Sequence, residues 1–117
     1  MIVACASRVT MTATFPLQHL CPYRNEVDNG AVDISWTTEG STFELHALSA
    51  WLHGWDEQAI SHEEITAQIA RGLVENRWPP GVPVGITDVA VTTRWTTAGA
   101  EVTCRAVPRE PVHTAGA

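Results

Sequence analysis

The sequence has few basic residues and few cysteines, and both scarcities exclude classes of protein. Seven Lys and Arg residues stand against 13 Asp and Glu residues, which gives a formal net charge of -6. A chain that grips nucleic acid by charge alone carries a basic patch, so this class is disfavoured, although an oligomer can gather its few arginines on one face. Three cysteines without a Cys-x-x-Cys pair predict neither a disulfide framework nor a zinc knuckle. They fit the reducing cytoplasm best.

Long hydrophobic runs are absent as well. No stretch of 18 apolar residues occurs, so no membrane-spanning helix is predicted. The opening MIVACASRVTMTA lacks the basic segment with which a signal peptide begins. The 117 residues allow for one domain, and 44% hydrophobic with 17% charged residues is a typical globular composition. We therefore expect a cytoplasmic protein.

The first half of the chain changes its hydrophobic period from two to that of a helix. Residues 1–29 have no sustained period and are interpreted as an arm that leads into a loop. Apolar and polar side chains alternate over 31–37, which predicts a half-buried strand. After a turn at 39–41, a return strand is predicted to begin at 42–44. Helical spacing of leucines then predicts a helix over 45–57.

The second half begins with a helix and ends in a hairpin. Ser61 followed by Glu64 is a capping-box pattern, which predicts a helix that ends near Trp78, before two prolines. Residues 82–95 are typical of a strand whose alternation slips near Asp88, which indicates a bulge.

The last element is a strand that follows a turn at 97–99, and it completes the order of elements from which the architecture is predicted. A return strand is predicted over 101–107. The order strand-strand-helix-helix-strand-strand (ββααββ) predicts an α+β fold, a four-stranded antiparallel sheet with two helices on one face. Its open edges favour assembly into a ring of subunits. We divide the chain into an N-terminal arm (1–16), one domain (17–107) and a disordered tail (108–117).

Four positions keep the spacing of a known family. Cys21 is followed by proline, Asp28 lies seven residues after Cys21, Glu44 lies 16 residues after Asp28, and the pair His62-Glu63 ends 19 residues after Glu44. In this the chain resembles the QueF family, enzymes of the tunnelling fold that act on the nitrile of 7-cyano-7-deazaguanine. The resemblance spans residues 17–107 and implies a homo-oligomer whose pockets lie between subunits.

The resemblance implies a chemical role for each of these residues. The Cys21 thiolate is expected to attack the nitrile carbon and form a covalent thioimide, while Asp28 supplies the proton that the nitrile nitrogen gains. A carboxylate can accept both the ring N–H and the amino group of a guanine-like base, and Glu63 is expected to do so. Three further residues are expected to complete the base pocket: Glu44, Leu45 and His62.

Each of these residues also has an ordinary structural interpretation. Cys21 can be an inert loop thiol, and Asp28 can be a turn residue before Asn-Gly. Glu63 can simply be an acidic residue in the first turn of a helix, where the helix dipole favours it, and His62 can be a solvated residue of the same turn. Taken one at a time, the positions leave these alternatives open.

The sequence departs from the family's reductases in the cofactor motif. Over residues 44–51 the frame is kept, but His46 and Ser49 replace the two lysines, and neither supplies a fixed cation for the extra phosphate of NADPH. The Pro-Arg-Gly-Gly-like turn is replaced by residues 97–99. No cofactor is therefore expected, and the chain looks more like the short QueF-like branch that forms the amidine of archaeosine with ammonia.

Three hypotheses of function follow from this resemblance. The leading one is an amidine synthase that resolves the thioimide with ammonia, on 7-cyano-7-deazaguanine either free or within a nucleic acid. The second is NADPH-dependent reduction to the 7-aminomethyl base, with the missing cations supplied by a neighbouring subunit or by Arg71 or Arg77. The third is a purine- or pterin-binding module without catalysis.

Zinc chemistry is disfavoured by the histidine spacing. Catalytic zinc takes three clustered ligands, but the five histidines form no His-x-His pair, and HEEIT at 62–66 lacks the second histidine of a zincin helix. We therefore predict no metal site.

Overall fold

The computed structural model describes residues 7–75, 83 and 85–109. Its elements are β1 (Val9–Leu20), β2 (Val27–Thr38), α1 (Leu45–Leu52), α2 (His62–Val74), β3 (Thr87–Thr97) and β4 (Ala100–Ala106). A single 3₁₀ turn, His53–Trp55, extends α1. The predicted order ββααββ and the α+β class are confirmed. None of the helices in this part of the chain has the length and apolarity needed to cross a bilayer.

The four strands form one antiparallel sheet in the order β1-β2-β3-β4. Alternate side chains of β2 are buried, among them Val32 and Trp36, because they face the helices. On α2 the apolar stripe, with Ile65 and Leu73 both at 0% exposure, packs into the same core. The helices therefore cover one face of the sheet, as predicted.

The opposite face of the sheet is polar. Most of its side chains are polar, and Arg94 on β3 pairs there with Asp33 on β2 at 2.9 Å. Such a face tolerates water, so one layer of helices suffices for the fold of a single chain. Three of its members come from β1: Thr10, Thr12 and Thr14.

Two of the sequence-based assignments are wrong. The arm predicted over 1–29 contains β1, which pairs with β2 along its whole length and crosses the proposed arm–domain boundary at residue 16. The return strand predicted at 42–44 does not form, because Glu44 already caps α1. The core-facing positions Met11, Phe15 and Leu17 of β1 do alternate with polar residues, but Pro16 lies within the run, and a proline counts against a strand except at a sheet edge, where β1 lies.

The turn and bulge predictions are confirmed. Between Ser35 and Thr37 the register of β2 shifts against β3, and Asp88 lies in the left-handed region with φ 55°. Residues 97–99 turn between β3 and β4, with positive φ at Ala98 and Gly99. Trp78, the expected end of the second helix, and the tail from residue 110 lie outside the described residues.

Candidate functional site

Asp28 lies at the centre of a buried polar cluster beneath one end of the sheet. It stands in β2, directly opposite His19 of β1, rather than in a turn. Its Oδ2 accepts a hydrogen bond from His62 Nε2 at 2.7 Å and lies 3.3 Å from His19 Nε2. Asp28 and His62, 34 residues apart in sequence, are therefore brought together by the docking of α2 on the sheet.

The orientation of His19 is fixed by a backbone carbonyl. Its Nδ1 lies 2.7 Å from the oxygen of Ile60, and a carbonyl can only accept, so Nδ1 carries a proton. The ring is 1% exposed. In the neutral ring the other nitrogen, Nε2, therefore carries no proton, and its lone pair is directed at Asp28.

A tryptophan forms the floor of this cluster. The ring of Trp95 stacks on His62 with centroids 4.6 Å apart and meets His19 edge-on at the same separation. Its Nε1 donates to Thr93 Oγ1 at 2.9 Å. A glycine makes room for it, because a Cβ on Gly30 would lie 2.5 Å from a Trp95 ring carbon.

The end of β1 is tied to the segment before α2 by a short parallel bridge between Leu20 and Ala59. Leu20 N donates to Gln58 O at 2.9 Å, and Ile60 N donates to Leu20 O at 3.2 Å. These two bonds place His62, at the start of α2, beside the residues that follow β1.

Cys21 lies at the start of the β1–β2 loop and lines a cleft together with Asp28. The loop is closed by two backbone bonds, from Cys21 N to Glu26 O and from Asn25 N to Cys21 O, each 2.8 Å long. The cysteine is free, and the cleft encloses about 320 Å³. A larger hollow of about 420 Å³ on the polar face contains neither Cys21 nor Asp28. Cys21 and Asp28 therefore line one solvent-accessible space.

No family model matches the chain, and no curated protein matches it either. Among solved structures, the chain is similar to the archaeosine synthase QueF-Like in its apo form, with a TM-score of 0.69 over 83% of this chain and 90% of that chain. The chain has the fold of that protein. At 18% identity the likeness shows the fold alone.

The expected resemblance is thus confirmed as a QueF-like fold, and three of the predicted site residues meet within it. Cys21 and Asp28 share the cleft, and His62 is bonded to Asp28. The interpretation of His62 as a solvated first-turn residue is wrong, since only 15% of its side chain is exposed.

The other predicted pocket residues lie on the surface of the single chain. Glu44 caps α1, where its carboxylate accepts from the backbone N–H groups of His46 and Ala47. Leu45 is 44% exposed. Glu63 is exposed in the first turn of α2, beside the capping residue Ser61. Their substrate-binding role stays a prediction.

Glu44 has a perturbed acidity because of its capping bonds. The hydrogen bond from Ala47 N lowers the pKa of its carboxyl group, and the side chain of His46, 3.1 Å away, lowers this pKa further. The carboxylate therefore stays ionised at neutral pH and is engaged with its own helix.

Sequence reasoning missed His19 and Trp95 as parts of the site. Cross-strand pairing places His19 opposite Asp28, but the strand that carries this histidine had been interpreted as an arm. Three metal-binding donor atoms consequently meet, one each from His19, Asp28 and His62, all within 4.8 Å of one another. Histidine spacing along the chain does not indicate this group, and the expectation that no three metal-binding residues cluster is wrong.

Proposed function

We propose that the chain forms a covalent thioimide between Cys21 and 7-cyano-7-deazaguanine and that ammonia resolves this thioimide to an amidine. The observation that carries the proposal is that Cys21 and Asp28 line one cleft while His62 holds Asp28 at 2.7 Å. A nucleophile, a proton carrier and an orienting group are thereby assembled. The fold shared with an archaeosine synthase supports the same chemistry.

In the first step the Cys21 sulfur bonds to the nitrile carbon. The thiol proton passes to the Asp28 carboxylate and from there to the nitrile nitrogen, so the product is a neutral S–C(=NH) thioimide. The bond that Asp28 accepts from His62 leaves its second oxygen, Oδ1, for this proton. No external oxidant or reductant is needed.

In the second step ammonia adds to the thioimide carbon and the C–S bond breaks. The sulfur leaves with the bonding electron pair and takes up a proton from the added nitrogen, which regenerates the thiol and gives C(=NH)NH₂. Overall, one ammonia is added across the C≡N bond. Hydride from NADPH would instead give the 7-aminomethyl base.

The hydride alternative has less support from the described residues. Arg71, one of the cations that this alternative offers in place of the missing lysines, is engaged with Glu64 at 3.3 Å on the exposed face of α2. Arg77 lies outside the described residues. The cleft does contain one cation, Arg24, but a single guanidinium is a weak substitute for two lysines.

Intact-protein mass spectrometry after mixing with 7-cyano-7-deazaguanine tests the first step. We expect an adduct of one base mass on the wild type and none on Cys21→Ala, with Cys104→Ala as the matched thiol control. Asp28→Asn should slow adduct formation by about 10²- to 10⁴-fold, because the proton carrier is lost. An adduct of the same mass on Cys21→Ala would refute the proposal.

Adding ammonia or NADPH to the isolated adduct tests the second step. Release of an amidine with ammonia alone supports the proposal. Release of the aminomethyl base with consumption of NADPH would establish the reductase instead. Base binding without any mass shift on Cys21 would identify a binding module.

A further inference from the structure

The lone pair of His19 is the unusual feature of the buried cluster. His19 Nδ1–H donates a hydrogen bond to Ile60 O, so in the neutral ring Nε2 carries no proton. Nε2 and Asp28 Oδ2, 3.3 Å apart, are then two hydrogen-bond acceptors that face each other. Two acceptors repel each other unless a cation or a proton lies between them. Because His19 is 1% exposed, bulk water can relieve this repulsion only from the side of Asp28.

The donor set has the composition of a metal site. Two imidazole nitrogens and one carboxylate oxygen, from three separate elements, lie within 4.8 Å of one another in the described part of the chain. Such sets bind zinc in enzymes that keep a fourth position for water. Two ligands about 2.1 Å from a tetrahedral ion lie roughly 3.4 Å apart. The observed 3.3 Å between His19 and Asp28 fits this value. The 2.7 Å between His62 and Asp28 has to lengthen by about 0.7 Å to reach it.

Contacts around the donors orient them as metal sites require. The carbonyl of Ile60 holds the non-ligating nitrogen of His19, which is the usual partner of a zinc-bound imidazole. The stacked ring of Trp95 fixes the plane of His62. Both contacts reduce the ordering that binding would otherwise require.

We propose that His19, Asp28 and His62 bind a divalent metal ion of the Zn²⁺ class through two imidazole Nε2 atoms and one carboxylate oxygen. The bound ion takes the place of the proton in the hydrogen bond from His62 Nε2 to Asp28 Oδ2. Since the proposed thioimide step needs Asp28 as proton carrier, the metal and the nitrile chemistry exclude each other. This inhibitory consequence rests on the proposed function, whereas the binding itself does not.

Isothermal titration calorimetry with Zn²⁺ tests the site on the protein alone, in the absence of any base. We expect one Zn²⁺ per chain for the wild type and also for Cys21→Ala, which removes binding through the reactive thiol. His62→Gln should weaken the affinity by about 100-fold or more, since it removes a direct ligand. The control is His53→Gln, which changes an exposed histidine paired with Asp56 outside the cluster.

His19→Gln should weaken binding similarly, with circular dichroism to show that the variant is folded. If it is not, Asp28→Asn replaces it, because this change keeps the size of the side chain and removes its charge. Titration of Co²⁺ with visible spectra checks that the ion sits among nitrogen and oxygen donors. Absence of binding at millimolar Zn²⁺, or affinity unchanged in the folded cluster variants, would overturn the proposal and leave a proton between His19 and Asp28.

Inhibition of thioimide formation by the bound metal is tested separately, by mass spectrometry of the adduct. Zn²⁺ at concentrations that saturate the site should suppress adduct formation on Cys104→Ala, and a chelator should restore it. If no adduct forms even without metal, the proposed nitrile chemistry fails while the calorimetric result stands.

Discussion

At the scale of single residues, the site depends on a position that carries no side chain. Gly30 lets β2 approach β3 so closely that an added Cβ would lie 2.4 Å from the Arg94 carbonyl oxygen and 2.5 Å from the Trp95 ring. The floor of the polar cluster is thus set by a backbone contact. The alternation of apolar and polar residues over 31–37 predicts the strand. This pattern does not show that the residue before it, Gly30, has to be a glycine.

We predict that Gly30→Ala destabilises the protein by about 1–3 kcal/mol, because the backbone and the indole must both shift. The displaced Trp95 should also misplace His62 and slow adduct formation. Urea denaturation followed by tryptophan fluorescence measures the first effect. The matched control is Gly54→Ala, where an added Cβ meets nothing within 4 Å, and a similar loss there would contradict the explanation.

A second residue-scale prediction concerns the capping carboxylate Glu44. Its pKa is lowered by the bonds from Ala47 N and His46, so its stabilisation is present above the pKa of the unfolded chain and is lost as pH falls through the lower pKa of the folded chain. Glu44→Gln should therefore lower the melting temperature at pH 7, with a smaller difference near pH 3. Melting curves at both pH values check this, with exposed Glu57→Gln as control. An equal difference at both pH values would refute the ionic cap.

At the scale of elements, the N-terminus of α2 positions the site. Ser61 Oγ accepts from Glu64 N at 3.1 Å, as the capping pattern predicted. His62 follows as the first helical residue, so the cap that starts the helix also directs this imidazole toward Asp28.

Ser61→Ala should destabilise the protein by about 1 kcal/mol, the usual effect of losing such a cap. Ser61→Asn should retain most of the stability, because its side-chain oxygen can accept the same N–H. Urea denaturation of the three proteins measures the effect. Equal losses for both variants would show that the hydroxyl acts in another way.

The elements show which signals can be detected in a sequence. Capping at Ser61 and the bulge at Asp88 are local patterns, and the sequence predicts both. The strand β1 was missed although Met11, Phe15 and Leu17 alternate with polar residues, because a proline interrupts the run and the polar residue His19 lies on its core side. The spacings from Cys21 to His62 marked one side of the site, whereas His19 and Trp95 join it only through tertiary packing.

At the scale of the whole molecule, the sheet has two unpaired edges. In the described residues, β1 and β4 each pair with one neighbour. Open edges and a polar second face suit a sheet that continues into another subunit. Exposure of Leu45 and Glu63 in the single chain agrees with pockets that are completed by a partner.

We therefore expect sedimentation velocity to give a closed oligomer of several chains. Dilution below its dissociation constant should abolish adduct formation, because the base would lose its carboxylate anchor. Glu63→Gln should weaken base binding in the oligomer without changing its mass. A fully active monomer would contradict both expectations.

The bridge between Leu20 and Ala59 also bears on how long the site stays assembled. It consists of two hydrogen bonds between segments distant in sequence, and His19 receives its carbonyl partner from the same stretch. Fluctuations that release this stretch dismantle the cluster while the sheet remains intact. The lifetime of the assembled site is therefore governed by local opening, and amide hydrogen exchange at Leu20 and Ile60 reports it directly.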